Sequence, residues 1–124
     1  MLPEKFLRVL QHEGVVAIAT QGRDGRPHLV NTWNSYVQIT NDGHLLVPAG
    51  GMHVTETNVS ANHNVLLTAG SREVEGRRGL GTGFLVKGIA DFVQAGPDFD
   101  SIKSKFPWAR AALRVSITEI MQTL

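Results

Sequence analysis

Apolar and polar positions change period in short blocks along this chain, and glycines or prolines stand at most of the changes. Behind Pro3, the residues Phe6, Leu7, Val9 and Leu10 recur at helical spacing and Gly14 ends the run, which predicts a short helix. Residues 15–20 are β-rich and short enough for a buried strand, and the following QGRDGRP is turn chemistry. Residues 28–40 then read as one long strand, Asn41-Asp42-Gly43 as a tight turn, and 44–47 as a strand stopped by Pro48. Ala49-Gly50-Gly51 reads as a hinge ahead of helical spacing over 52–59, and 65–69 as a further strand. Residues 72–83 are glycine-rich and charged, which predicts a mobile loop or a wide hairpin. Strict alternation returns over 84–93, a short helix carries Phe99, Ile102 and Phe106, and 108–121 reads as a closing strand.

Strands joined by hairpins, with a few short helices and no βαβ rhythm, predict a mainly β fold: an antiparallel barrel with short peripheral helices. A length of 124 residues supports one domain, 1–124, and 42% hydrophobic against 19% charged residues is enough apolar material for it to fold. Twelve Lys and Arg against eleven Asp and Glu leave a net charge of +1, which makes no electrostatic case for nucleic acid or an acidic membrane. The charged N-terminal segment lacks a signal-peptide core, and no run approaches the ~20 apolar residues of a membrane span. A cytoplasmic protein is expected, with the Asn58-Val59-Ser60 sequon unused. The chain has no cysteine, so thiolate chemistry, cysteine-held zinc and iron–sulfur clusters are excluded. Any redox chemistry must come from a bound group.

Most motif-like features carry little chemistry. The glycines at 76, 79, 81 and 83 do not follow dinucleotide-loop spacing and precede a strand. The histidines at 12, 28, 44, 53 and 63 form no paired ligand motif, so no metal site is expected. Ser35 and Ser60 lack an elbow sequence or a visible base, which disfavours hydrolysis. Two segments differ. Val30-Asn31-Thr32-Trp33-Asn34-Ser35-Tyr36 places amides, hydroxyls and aromatics on both faces of an expected core strand, and a polar planar ligand would satisfy them. Pro48-Ala49-Gly50-Gly51-Met52-His53-Val54-Thr55 runs from a strand through a hinge into a helix start, where free amides and a hydroxyl suit an anion such as phosphate. Together they suggest a phosphorylated aromatic cofactor.

In these segments the chain resembles the small FMN-binding proteins of the pyridoxamine-phosphate-oxidase-like split-barrel group. The likeness runs through residues 13–22, 27–36, 50–53, 81–85, 108–113 and 122–124, and so covers nearly the whole chain. It implies an antiparallel six-stranded split barrel, a homodimer, and one noncovalent FMN per subunit near the interface. Asn31, Thr32 and Trp33 would then lie along the ribityl-phosphate and ring, with Gly50, Gly51 and Thr55 at the phosphate. Trp33, Tyr36 and Trp108 would surround the isoalloxazine, and Leu124 would cover it from the partner subunit. The group has a lysine where this chain has Val54, and Arg72, Arg77 or Arg78 are the candidates to replace that cation. The implied function is flavin electron transfer, with a redox protein as a possible partner. An NAD(P)H-dependent flavin reductase and an FMN-storage protein are the alternatives.

Overall fold

A computed structural model describes residues 2–124 and shows the alternating blocks rolled into one antiparallel sheet. In chain order the elements are α1 (Glu4–Leu10), β1 (Val15–Gln21), β2 (Pro27–Trp33), a 3₁₀ turn (Asn34–Tyr36), β3 (Gln38–Ile39), β4 (Leu45–Ala49), α2 (His53–Ala61), β5 (Asn64–Glu75), β6 (Leu80–Val93), α3 (Pro97–Lys105) and β7 (Ala111–Gln122). The strand order is β2-β1-β5-β6-β7-β4-β3. Among the described residues, the two edge strands are joined by the 3₁₀ turn and share no ladder, so the barrel is split between them. No helix among those residues is long and apolar enough to cross a membrane.

The sheet has seven strands instead of the expected six, because 28–40 is not one strand. Asn34 breaks it: its Nδ2 donates to the carbonyls of Val9 (3.2 Å), His12 (2.8 Å) and Gly70 (3.0 Å), which pulls the chain out of the ladder. Only Gln38 and Ile39 resume pairing, against Leu46 and Leu45. Of the two readings open for 72–83, a mobile loop or a wide hairpin, the structure shows the hairpin. β5 and β6 extend toward each other as a long hairpin, closed by Gly76 N–H donating to Gly79 O (2.7 Å), with Val74 turned inward. The closing strand begins at Ala111, after Trp108.

Inward positions of alternate strands build the main core: Val16 and Ile18, Val65 and Leu67, Phe84 and Val86, Leu113 and Val115. Helix α1 caps it with Val9 and Phe6, whose ring meets Phe84 edge-on at 5.5 Å. A second cluster, with Leu46, Ile102, Ala109 and Ala112, lies under α3. Strand β4 is therefore buried on both faces, which is why it reads LLVPA without alternation. Pro48 is accommodated because β3 stops short of it. Arg114 fastens α3 to the sheet by a two-pronged contact with Asp91 (2.8 and 3.2 Å) and one with Asp98 (3.1 Å) in the first turn of α3. These carboxylates, Asp91 first, hold the guanidinium above its ordinary pKa.

The β6–β7 ladder slips at one point. Lys87 faces Glu119 and Gly88 faces Ile117, which leaves Thr118 as the extra residue of a bulge. A Cβ at residue 88 would lie 2.5 Å from Val115 Cγ1 and 2.7 Å from Ser116 O, so only glycine fits there.

Candidate functional site

The two-sided burial of β4 fixes Ala49, and Arg110 N–H donates to its carbonyl at 2.9 Å. The next residues turn the chain abruptly into α2, with Met52 in the left-handed region at φ 61°. Trp108 packs on this hinge: a Cβ at Gly50 would come within 3.2 Å of its Cε3, whereas a Cβ at Gly51 would meet nothing within 4 Å. Helix α2 starts without a side-chain cap, and Glu56 N–H is its first amide bonded within the turn, to Met52 O at 2.9 Å. The amides of His53, Val54 and Thr55 precede any intrahelical acceptor and form the positive end of the helix dipole. Thr55 is fully buried and its Oγ1 has no hydrogen-bond partner. Its Cα–Cβ bond leans toward the helix start, as every helical side chain does.

Beside the hinge stands an aromatic trio. The Tyr36 ring centroid lies 5.1 Å from Phe106 and 5.7 Å from Trp108, and the latter two are 5.8 Å apart. Trp108 is 52% exposed, which leaves ring surface open. Trp33 lies outside the trio, on the outward face of β2 with Asn31, while Thr32 points into the barrel. At the adjoining rim, Glu13 accepts from Ser35 Oγ (2.7 Å) and Ser35 N–H (3.1 Å). The Ser35 hydroxyl, then its amide, holds this carboxylate below its ordinary pKa.

One chain thus brings Tyr36, Gly50, Gly51 and Trp108 together at the hinge, with Thr55 in the first turn of α2; Asn31, Thr32 and Trp33 lie on edge strand β2, where Trp33 faces Val15 in the ladder. Leu124 falls elsewhere. Its carbonyl accepts from Thr82 Oγ1 (2.9 Å) and Gln122 Nε2 (2.7 Å) beside the β5–β6 hairpin. Roughly 40 Å of strand β7 separates it from Trp108. It borders a groove of about 630 Å³ whose walls include Val15, Gly70, Arg72 and Leu80. Arg77 and Arg78 are at that end too, with Arg77 donating to Gln122 O at 3.0 Å. Within one chain, none of Arg72, Arg77 and Arg78 sits at the hinge to replace a cation at Val54.

Sequence reasoning passed over Phe106 and Arg110 as site residues, although both flank Trp108 and its packing partners. Asn34 lies in the segment expected to meet a ligand; backbone carbonyls occupy its amide nitrogen, while its Oδ1 is buried without a hydrogen-bond partner. The hinge fits a phosphorylated planar group on the chemistry of its donors. Unbonded amides and an orphaned hydroxyl sit at a helix start, Gly51 leaves open space, and aromatic surface lies alongside.

Comparison with known proteins points the same way. Residues 2–123 match the family described as "Pyridoxamine 5'-phosphate oxidase". A protein named "FMN-binding protein" from Nitratidesulfovibrio vulgaris (strain DSM 19637 / Miyazaki F) is 56% identical over 124 residues, 100% of both chains. Among solved structures, an FMN-binding protein from Syntrophomonas wolfei subsp. wolfei superposes with a TM-score of 0.77 at 15% identity, covering 98% of this chain and 85% of its own. HupZ from Group A Streptococcus gives 0.79 at 14% identity, covering 98% and 94%. At such identities these two structures speak for the split-barrel fold alone.

Proposed function

Because this chain belongs to the pyridoxamine 5'-phosphate oxidase family, we propose that it binds FMN noncovalently and serves as a small flavin electron-transfer protein. The unpartnered Thr55 hydroxyl, behind an uncapped first turn, carries this reading. A phosphate monoester bears about −1.5 to −2 charges near neutral pH, and it would give acceptors to that hydroxyl and to the amides of His53, Val54 and Thr55. Trp108 and Tyr36 offer aromatic surface to the ring system, and the edge residues Asn31, Thr32 and Trp33 are assigned to its ribityl side. When bound, the isoalloxazine supplies the capacity to take up and release electrons; the chain anchors the phosphate and limits water at the ring.

The functional unit in this reading is a homodimer. The outward face of β1, β2 and β5 carries two apolar groups, Ala19 between Leu29 and Leu66, and Val15 beside Trp33, with Asn31 and Thr68 flanking Ala17 between them. Leu29 is 67% and Leu66 43% exposed, a contiguous surface that a second copy would cover. A dimer is also what would bring Leu124 of the partner subunit to a hinge that the chain's own Leu124 is far from.

The test is the colour and reducibility of the purified protein. Flavin absorbance near about 450 nm, and reduction through a redox protein but not by NADH alone, is the expected result. Steady NADH oxidation without a partner would make the protein a reductase, and bound flavin reduced by neither route would make it a store. A chain that takes up no added FMN would overturn the site itself.

A further inference from the structure

The helix start proposed to receive a phosphate has no cation on its own turn. Val54 occupies the second helical position and is 53% exposed. Two positions on, Glu56 places a carboxylate in the same first turn. A first-turn carboxylate favours the helix dipole, but it opposes a second anion at the same amides.

Arg110 answers the second problem from another element. It leaves the start of β7 beside Trp108, and its Nη1 meets Glu56 Oε1 at 2.9 Å. Its Nε and Nη2 donate to Gly51 O at 3.1 and 2.6 Å. The two partners are only 26% and 33% exposed, so solvent screens the pair less than a surface salt bridge. One planar guanidinium therefore neutralises the first-turn carboxylate and pins the hinge carbonyl. Because the peptide unit is planar and trans, fixing Gly51 O also fixes the opposite direction for Met52 N–H. This arrangement needs arginine, because a lysine ammonium cannot present the same fork to two acceptors.

We propose that Arg110 is a positioning residue for the phosphate end of the flavin: it relieves the first turn of the Glu56 charge and locks the Gly50–Gly51 hinge. The proposal rests on the reading that FMN binds at this hinge. It predicts an effect confined to the phosphate, and riboflavin, which has the same ring and ribityl chain without phosphate, is the control.

Flavin-free full-length protein is titrated with FMN and with riboflavin at low salt, following flavin fluorescence. Arg110→Met exposes an uncompensated carboxylate and is expected to weaken FMN about tenfold, the scale of a charge-assisted contact, with riboflavin unchanged. Glu56→Gln frees the guanidinium and is expected to tighten FMN a few-fold, again without effect on riboflavin. The double variant is expected to recover the part of the loss due to the Glu56 charge and to stay weaker than the original chain by what the Gly51 contact contributes. Equal weakening of both flavins by Arg110→Met would reduce Arg110 to a structural strut and overturn the proposal, as would an unchanged FMN affinity. If Arg110→Met does not fold, Glu56→Gln decides alone: FMN binding that is unchanged or weaker overturns it. Failure of the unaltered chain to bind FMN would instead overturn the reading of the hinge as a flavin site.

Discussion

Asn34 and Thr55 are both fully buried polar residues, and each leaves an oxygen, Asn34 Oδ1 and Thr55 Oγ1, without a hydrogen-bond partner; they differ in that Asn34 also donates. Asn34 spends its amide nitrogen on carbonyls from the end of α1 and from β5, and so ties three parts of the chain together. Asn34→Asp would face those oxygens with a carboxylate and is expected to cost about 3 kcal/mol or more, read as a lowered urea midpoint with an unchanged slope. Thr55 leaves its hydroxyl unpaired, a cost that the fold bears without local return. Thr55→Val keeps the shape and removes the orphan, so flavin-free protein should melt at the same temperature or about 3 °C higher. The same variant should bind FMN more weakly, and a flavin affinity equal to that of the unaltered chain would remove Thr55 from the site. Sequence could single out both residues as polar among apolar neighbours. It could not tell the amide nitrogen that distant carbonyls satisfy from the two oxygens left without a partner, because that depends on which backbone groups the fold brings near.

Among the elements, short β-rich runs marked β1 and the central part of β5, and alternation marked most of β6, where one face meets the core and the other does not. It failed where side chains override period. Asn34 cuts the expected second strand; for 72–83, where loop and wide hairpin both stood open, inward Val74 goes with the hairpin. Strand β4 was found through its boundary proline, not through a pattern, because burial on both faces erases alternation. The hinge was legible as Gly-Gly before a helical run; Arg110 was not, since its partners Gly51 and Glu56 lie more than fifty residues earlier in the chain. Two turns also carry a pH dependence. Ser35 holds Glu13, and Thr40 holds Asp42, below the ordinary carboxylate values, so the native state binds fewer protons than the unfolded chain. That stabilisation is complete above the ordinary values and is lost as pH falls through the lower native ones. Between about pH 6 and pH 3, Ser35→Ala should therefore narrow its stability difference from the original chain. A gap that stays constant across that range would show that Glu13 does not contribute.

For the molecule as a whole, the proposed site is divided between two ends of one barrel, and the partly apolar outer face lies between them. Leu66→Asp puts a charge on that face, between Ala19 and Lys87. It is expected to yield a folded monomer by light scattering, with weakened FMN binding; a dimer of undiminished stability would place the interface elsewhere. Periodicity says which side chains turn outward, not which of them a second copy covers, so the proposed dimer rests on family resemblance and not on the pattern. Strand β7 joins the two ends, and its bulge has a further consequence. Up to the bulge the odd-numbered residues Leu113, Val115 and Ile117 face inward; beyond it the more sheltered positions are the even-numbered Ile120 and Gln122. Thr118 is the step that changes parity. Removing Thr118 would leave every inward side chain of β7 inward, while a deletion elsewhere within the strand would turn part of it inside out. A chain shortened by that one residue would keep its core and lose only the extra twist that the bulge lends the sheet.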